Sequence, residues 1–521
     1  MPDLSRRQIL ACGAALAGVG SARAADAPEY LSAMQVVDAL HARRLSALEL
    51  TDHLIARIER LDARLNAVVA RDFDRAREAA RAADAALARG DGRPLLGVPM
   101  TVKESFNVAG LATTWGFPEA KGFRASDDAL IVARARSAGA VILGKTNVPV
   151  ALADWQSYNA IYGVTRNPWD LERTPGGSSG GSSAALAAGF GALSLGSDIG
   201  GSLRVPAHFT GVAALKPSHG VVPSRGHTPP GFPALAREVD LAVVGPMARS
   251  AADVAQLFDV IAGPDELTTS VGYRLALRPP RWQTLKGFRV LLLDDHPLVP
   301  TAAAVRQALE RLAGRLESAG VSVERRHRLL PDLAEVARVY MRLLLAFSAA
   351  TWPAPLYERL RGIASTLASD DKSLAAERAR GIALSHRDWV FADTARVRQQ
   401  QQWRELFAEV DVVLCPTMPI TAFAHDHSEP QEARRLEIDG KPFPYVDVGL
   451  VWAAAATSAG LPAAVLPIDR GDSPLPIGVQ IVGPYLEDRT VLAFAALLER
   501  EFGGFVAPPG YALGLPTSVR A

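Results

Sequence analysis

The chain has 521 residues, of which 49% are hydrophobic and 21% are charged. This composition is ordinary for a globular protein and excludes a largely disordered chain, a collagen-like fibre and a small disulfide scaffold. Lys and Arg number 56 against 55 Asp and Glu, and no dense basic run occurs, so the charge pattern indicates no nucleic-acid partner.

The first 24 residues have the composition of an export signal. Arg6 and Arg7 precede a short apolar stretch, residues 11–20, and residues 22–24 have the A-x-A cleavage pattern Ala-Arg-Ala. A twin arginine before a weakly hydrophobic segment resembles a twin-arginine export signal. The stretch is about half as long as a membrane span, so we expect no stable membrane anchor after cleavage. The sequence therefore predicts a periplasmic mature chain, residues 25–521.

Cysteine and histidine patterns suggest neither a disulfide nor a metal. Cys12 falls in the signal, which leaves Cys415 as the single cysteine of the mature chain and excludes a disulfide within it. Cys415 ends an apolar run and is expected to be a buried strand thiol. The 10 histidines show no H-x-x-x-H spacing and no C-x-x-C occurs, so we expect no metal and no cofactor.

Helix and strand signals alternate along the mature chain. Ser32-x-x-Gln35 and Ser46-x-x-Glu49 are capping boxes that predict two helix starts, and an alanine-rich helix follows to about Ala88. Short runs of β-type residues then predict strands at 98–102, 141–143, 241–244, 290–293, 412–414, 464–466 and 479–482. This alternation predicts an α/β fold with a largely buried sheet.

The domain organisation is predicted to be simple. Residues from about 300 to 410 are mostly helical in pattern, and the Gly- and Pro-rich segments are short and scattered rather than gathered into a linker. We therefore expect residues 25–521 to form a single domain in which residues 300–410 are a mostly helical variable region.

Glycine and serine crowd into residues 174–207, as expected where a backbone turns tightly or approaches a ligand closely. A phosphate-binding loop would need a lysine after the glycines, and none follows. Residues 176–180 match G-x-S-x-G, the nucleophile elbow of α/β-hydrolases with Ser178 as nucleophile, but the residues before them indicate a proline-bounded loop instead of a strand. An esterase of the α/β-hydrolase type stays an alternative.

Several further blocks accompany this segment. They include Gly-Val-Pro-Met-Thr-Val-Lys-Glu (97–104), Gly-Lys-Thr-Asn-Val-Pro (144–149), Gly-Pro-Met-Ala-Arg-Ser (245–250) and Leu-Pro-Ile-Gly-Val-Gln-Ile-Val-Gly (475–483). In order and spacing, the chain resembles the amidase signature hydrolases. The resemblance implies the α/β fold of that family, a large mixed twisted β-sheet core covered by helices on both faces.

The resemblance also implies a catalytic triad. Ser202 corresponds to the nucleophile, Ser178 to a bridging serine that follows a cis peptide bond from Gly177, and Lys103 to the base. A serine hydroxyl needs a base to remove its proton, and lysine can act so only when neutral. We therefore expect Lys103 to be desolvated, which lowers its pKa.

Supporting residues surround the predicted nucleophile. The negative charge that develops on the substrate oxygen needs fixed donors. The predicted oxyanion hole consists of four consecutive backbone N–H groups, those of Ile199, Gly200, Gly201 and Ser202. Asp198 and Arg204 are expected to form an ion pair that holds this loop, and Ser197 is expected to place its hydroxyl near Lys103 or Ser178.

Other polar and aromatic residues are assigned outside the triad. Trp155 and Tyr158 are candidates for the wall of the substrate pocket. His208 and His219 are expected to have packing or surface roles.

The sequence thus predicts an amidohydrolase that cleaves a small-molecule carboxylic amide to a carboxylate and ammonia or an amine. The nearest alternative of different role is the A-type component of a glutamyl-tRNA amidotransferase, which works inside a cytoplasmic assembly. Neither the acyl specificity nor the oligomeric state follows from the sequence, and a homodimer stays open.

Overall fold

The computed structural model describes residues 27–470 and 474–512. The predicted export signal, residues 1–24, lies outside the described residues. Fourteen α-helices occur in the described part: α1 Ala33–His41, α2 Ala47–Leu65, α3 Phe73–Ala88, α4 Leu130–Ser137, α5 Gly180–Ala187, α6 Arg204–Thr210, α7 Ala251–Ile261, α8 Ala303–Ser318, α9 Leu333–Ser348, α10 Ala354–Ser365, α11 Leu374–Ile382, α12 His386–Glu409, α13 Tyr445–Thr457 and α14 Asp488–Phe502.

Eleven strands form one large sheet. Its strands are β1 Val68–Arg71, β2 Pro99–Lys103, β3 Val141–Thr146, β6 Leu193–Asp198, β7 Ala213–Lys216, β8 Val243–Ala248, β9 Arg289–Leu292, β10 Ser322–Glu324, β11 Val412–Pro416, β14 Ala463–Asp469 and β15 Ile477–Val482. The spatial order is β1-β3-β2-β6-β8-β7-β14-β15-β11-β9-β10. Two hairpins lie apart, β4 Tyr158–Asn159 with β5 Gly163–Val164, and β12 Arg435–Ile438 with β13 Lys441–Pro444.

The sheet is mixed in strand direction. Strand β2 runs parallel to both β3 and β6, and β9 runs parallel to both β10 and β11. The centre of the sheet, from β6 through β8, β7, β14 and β15 to β11, is antiparallel at every step. The large mixed sheet that the sequence predicts is therefore confirmed.

Both faces of the sheet are buried, as successive residues of β11 show. Val412 and Leu414 pack into one apolar core, together with helices α2, α7, α8 and α14. Val413 and Cys415 pack into a second core, with helices α9, α12 and α13. Since alternate residues of a strand point to opposite faces, helices cover both sides of the sheet.

Local sequence signals account for many helix and strand boundaries. Both predicted capping boxes are present: the hydroxyl of Ser32 accepts from the N–H of Gln35, and that of Ser46 accepts from the N–H of Glu49. All seven predicted strands occur, while four further strands of the large sheet, β1, β6, β7 and β10, were not predicted. Between residues 300 and 410 the structure has five helices and the short strand β10. No helix in the described ranges is long and apolar enough to cross a membrane.

Candidate active site

Parallel pairing brings the predicted base and its neighbours together. Strand β2 ends at Lys103 and strand β6 ends at Asp198, and the two pair in parallel with Val102 opposite Leu195. The carboxyl ends of adjacent parallel strands meet at the same edge of a sheet. Lys103, Ser197 and Asp198 therefore lie at one edge, although β6 carries no strand signal strong enough to have been predicted.

Lys103 is fully buried, and its amine contacts two hydroxyl groups. Its Nζ lies 2.7 Å from Oγ of Ser178 and 2.9 Å from Oγ of Ser197. Burial lowers the pKa of Lys103 from its ordinary value of 10.5 to about 7, against the opposing effect of the Asp198 carboxylate. Lysine is thus neutral in a large fraction of molecules near pH 7, as the sequence predicts for a base.

Ser178 follows a backbone held tightly against a neighbouring loop. The Gly177–Ser178 peptide bond is cis, as the family resemblance implies. A Cβ at Gly177 would lie only 2.3 Å from the carbonyl oxygen of Asp154, so glycine is needed for this close approach. The loop therefore fixes where the Ser178 hydroxyl meets Lys103.

Ser202 lies in the loop between β6 and helix α6, residues 199–203, which we call the nucleophile loop. The N–H of Ser179 donates to the carbonyl oxygen of Ser202 at 3.2 Å, which fastens this loop beside the Ser178 segment. The Ser202 hydroxyl makes no hydrogen bond to any residue that the structure describes. The residue Ser202 is 93% buried, but its hydroxyl is not hydrogen-bonded to another side chain of the described ranges.

The predicted Asp198–Arg204 ion pair is present and completely buried. Nη2 of Arg204 lies 2.8 Å from Oδ1 of Asp198, and Nε lies 3.0 Å from Oδ2. The carboxylate also accepts the N–H groups of Gly201 at 2.9 Å and Leu203 at 3.0 Å. Burial alone would raise the pKa of Asp198, but Arg204 and these donors lower it to about 2. Asp198 therefore holds the nucleophile loop as a permanent anion.

One member of the predicted oxyanion hole is already occupied. The N–H of Gly201 donates to Oδ1 of Asp198. This N–H is therefore not free to bind the substrate oxygen, contrary to the prediction. Within the described chain, the N–H groups of Ile199, Gly200 and Ser202 have no acceptor. Gly201 instead contributes the positive φ of 95° that lets the loop turn.

Two aromatic side chains donate to carbonyl groups of the nucleophile loop. Nε1 of Trp155 donates to the Gly200 oxygen at 2.9 Å, and the hydroxyl of Tyr340 donates to the Ile199 oxygen at 2.8 Å. The Tyr340 bond orients the peptide plane that carries the free N–H of Gly200, whereas the Trp155 bond orients the plane that carries the N–H of Gly201, which Asp198 accepts. Trp155 thus has a contact that its assignment to a pocket wall did not anticipate.

Tyr340 was missed by sequence reasoning. It lies in helix α9, within the region assigned as variable, and no motif marks it. The sequence offers one signal that could have identified it: a tyrosine, whose side chain carries a hydroxyl group, directly precedes the apolar stretch 341–347.

Tyr158 belongs to a polar cluster next to Trp155. Its hydroxyl donates to Oδ2 of Asp154 at 3.2 Å and accepts from Arg434 at 3.0 Å, while its ring stacks on His427 at 3.8 Å. The contacts of Tyr158 are therefore with this cluster and with none of the three triad side chains in the described structure.

The residues assigned to packing do pack. His208 is fully buried, its Nε2 is 3.0 Å from the Ile420 oxygen, and its Nδ1 accepts from the N–H of Gly478 at 2.7 Å. Burial lowers its pKa to about 4, so it stays neutral. Cys415 is buried in β11, and burial raises the pKa of its thiol to about 12. Both predictions are confirmed, since neither group is poised for catalysis.

Comparison with known proteins matches this arrangement to one family. The family described as Amidase matches residues 49–492. A Mycobacterium tuberculosis protein that carries an amidase name, AmiB2, is 35% identical over 474 residues, covering 87% of this chain and 92% of that protein. The A-type component of the glutamyl-tRNA(Gln) amidotransferase from an Anaeromyxobacter species is also 35% identical, over 507 residues, covering 90% of this chain and 95% of that protein.

Solved structures agree on the fold. A bacterial aryl acylamidase of the amidase signature family superposes with a TM-score of 0.76 at 23% identity, covering 93% of this chain and 99% of that chain. The chain therefore belongs to the amidase signature family of amide hydrolases. The α/β-hydrolase alternative fails on geometry as well, because the last strand before Ser178, β5, ends at Val164 and a loop follows.

Proposed function

We propose that this enzyme hydrolyses a small-molecule carboxylic amide through an acyl-enzyme on Ser202. The observation that carries the proposal is the fully buried Lys103, whose pKa is lowered to about 7 and whose Nζ lies 2.7 Å from the Ser178 hydroxyl. A buried neutral amine beside a serine hydroxyl is suited to accept a proton. Lys216, which is equally buried and whose pKa is also lowered to about 7, donates instead to the backbone carbonyl oxygens of Pro217 and Leu461.

The proposed reaction has two halves. Ser202 Oγ attacks the amide carbon while its proton passes to Ser178, and the Ser178 proton passes to Lys103. Collapse of the tetrahedral intermediate breaks the C–N bond, and the proton returns along the same hydroxyl groups to the leaving nitrogen, which departs as ammonia or an amine. Water then attacks the ester on Ser202 with the same base, giving the carboxylate and restoring the serine.

The negative oxygen of each tetrahedral intermediate would be received by the free N–H groups of the nucleophile loop. We assign this role to Ile199, Gly200 and Ser202, whose N–H groups have no acceptor in the described chain. Trp155 and Tyr340 hold the carbonyl groups of this loop, and Asp198 holds its other side. Donors that are fixed before the reaction need no reorganisation when charge develops.

The experiment measures release of ammonia or amine from a panel of aliphatic, aryl, peptidyl and fatty acyl amides by residues 25–521. Ser202→Ala and Ser178→Ala should each reduce turnover by at least about a thousandfold. Ser183→Ala is the matched control, because it removes a buried hydroxyl of the same segment that bonds only to nearby carbonyls. Its turnover should stay within a few fold of the unmodified enzyme.

A covalent serine probe identifies the nucleophile independently of the substrate. A fluorophosphonate adduct, located by peptide mass spectrometry, should lie on Ser202. An adduct on Ser178, or full turnover by Ser202→Ala, would overturn the assignment.

The A-type component of an amidotransferase is the second candidate, since relatives of that name match as well as an amidase-named one. We favour a free-standing hydrolase because Arg6, Arg7 and the following apolar stretch predict export, away from aminoacylated tRNA. Activity on glutamine alone, and only when the other components of the assembly are added, would favour the second candidate.

We also propose that the twin arginine directs export. Expressed in a Gram-negative host, the full chain should reach the periplasm and begin at Ala25. Arg6→Lys with Arg7→Lys should retain it in the cytoplasm, while Arg23→Lys, beyond the pair, should not. Periplasmic recovery of the double variant would contradict this proposal.

A further inference from the structure

A cavity lies at the same edge of the sheet as the triad but away from it. Its volume is about 930 Å³, and none of Lys103, Ser178 or Ser202 lines it. Binding sites for small molecules commonly have about 300–1,000 Å³. The cavity is therefore large enough for an organic ligand, and the proposed hydrolysis assigns it no role.

The walls of this cavity are strongly basic in a nearly neutral chain. Five arginines line it, whereas its acidic residues are Asp240 and Glu487, and the whole chain has a net charge of only +1. Arg281 forms an ion pair with Glu487, and Arg396 forms one with Asp240. Both acidic side chains of the lining are therefore already paired. The remaining three arginines are Arg274, Arg278 and Arg404.

These three arginines have no ion-pair partner in the described ranges. Exposed arginines without an ion pair also occur elsewhere in the described part of the chain, Arg326 and Arg398 among them, but these three line one cavity. Several unpaired guanidinium groups around one concave space repel one another unless an anion is present. The cavity thus has the electrostatics of an anion site.

The positions of the basic groups are set by the local chain geometry. Arg396, Gln400 and Arg404 are spaced by four residues on helix α12 and so share one helix face. The segment 274–281 also lines the cavity and supplies Arg274 and Arg278. A ligand in the cavity would therefore meet guanidinium groups from two separate segments of the chain.

Apolar side chains complete the lining. They are Leu275, Leu277, Phe407, Leu461 and Leu486. Guanidinium groups bind carboxylates and phosphates in bidentate fashion, and the apolar surface adds affinity for a hydrocarbon or ring. We propose that this cavity binds a small organic molecule that carries an apolar group and at least two negative charges, as phosphate or carboxylates.

The floor of the cavity adjoins the nucleophile loop. Thr457 lines the cavity, and its Oγ1 accepts from Nη2 of Arg204 at 2.8 Å, the same guanidinium group that binds Asp198. The side chains of Arg204 and Asp198 therefore connect the cavity lining to the loop that carries Ser202. The two sites remain distinct, because binding at the cavity requires Arg278 and Arg404 and does not require the triad.

Isothermal titration calorimetry with phenyl phosphate tests the proposal on the mature chain. Phenyl phosphate combines a ring with a dianion and should bind with a Kd below about 1 mM, at least tenfold tighter than inorganic phosphate, while phenol should not bind measurably. Arg278→Ala with Arg404→Ala should weaken binding at least tenfold. Ser202→Ala should leave it unchanged, which keeps the result independent of the proposed hydrolysis, while the loss in the arginine variant locates the ligand in the cavity.

The matched control replaces two exposed arginines outside the cavity, Arg326→Ala with Arg398→Ala. Arg398 lies on the same helix as Arg404, but its position on another face keeps it out of the cavity lining. This control should bind phenyl phosphate as tightly as the unmodified protein. Equal affinity in the Arg278 and Arg404 variant, equal weakening in the control, or no binding to the unmodified protein would each overturn the proposal.

Discussion

The Nζ of Lys103 lies 2.9 Å from the hydroxyl oxygen of Ser197, which belongs to the neighbouring strand β6. This contact gives the buried amine a second partner besides Ser178 and fixes its orientation. In its neutral form, Lys103 can donate to Ser197 while its lone pair faces the Ser178 hydroxyl. We therefore propose that Ser197 orients the amine of Lys103, the base, toward Ser178.

Removing this hydroxyl should affect both the rate and its pH dependence. Ser197→Ala should lower kcat about tenfold, since one buried hydrogen bond contributes on the order of 1 kcal/mol. It should also move the midpoint of the pH profile downward, because the lost acceptor stabilises protonated Lys103. Ser197→Thr retains the hydroxyl and should behave like the unmodified enzyme. An equal loss in both variants would indicate packing and not the hydrogen bond.

The rate of amide hydrolysis should rise through pH 7. Burial lowers the pKa of Lys103 to about 7, so the fraction of neutral base falls about tenfold per pH unit below that value. We expect kcat/KM, measured with an amide that does not titrate, to decline accordingly from pH 7 to pH 5. A flat profile between pH 5 and pH 9 would contradict the neutral-lysine base.

The same pKa shift should make the free energy of unfolding depend on pH. The folded-state pKa of Lys103 lies below its ordinary value of 10.5, so between pH 7 and 10.5 the unfolded chain binds more protons and stability rises with pH. Lys103→Met removes this contribution. The free energy of unfolding of the unmodified protein, minus that of the variant, should increase by ~2 kcal/mol from pH 7 to pH 9 in urea titrations. A constant difference would mean that Lys103 is not buried as a neutral amine.

Sequence signals differ in how much of this site they could predict. Capping boxes act within one turn of a helix, so Ser32 and Ser46 mark helix starts correctly. The contact of Lys103 with Ser197 depends on the parallel pairing of β2 with β6, which joins residues 94 positions apart and leaves no local pattern, so only the family resemblance could suggest it. The use of the Gly201 N–H by Asp198 depends on side-chain placement in a tight loop. Motif spacing could therefore suggest the triad, but not which loop donors stay free.

Loss of the Asp198 charge should destabilise the fold. Asp198→Asn leaves Arg204 buried without its anion, which typically costs about 3–5 kcal/mol in unfolding free energy. Asp259→Asn is the matched control, because its partner Arg489 is about half exposed and such pairs contribute at most about 1 kcal/mol. Chemical denaturation measures both. Similar small losses in the two variants would show that the buried pair does not hold the nucleophile loop.

Kinetics can distinguish two roles for Trp155, which are orienting the nucleophile loop and lining the acyl pocket. Trp155→Phe keeps a buried aromatic ring but removes the N–H that donates to the Gly200 oxygen. If the indole orients the nucleophile loop, kcat should fall about tenfold for every amide of the panel, with KM little changed. If it lines the acyl pocket instead, the order of preference among acyl groups should change.

Trp169→Phe is the control for this comparison. Its Nε1 also donates to a backbone oxygen at 2.9 Å, that of Thr210, but at the far end of helix α6 from Ser202. Both variants therefore lose one indole hydrogen bond to a carbonyl, while only Trp155→Phe frees a peptide plane of the nucleophile loop. A uniform fall in kcat confined to Trp155→Phe supports the orienting role, and an altered acyl preference without that fall would refute it.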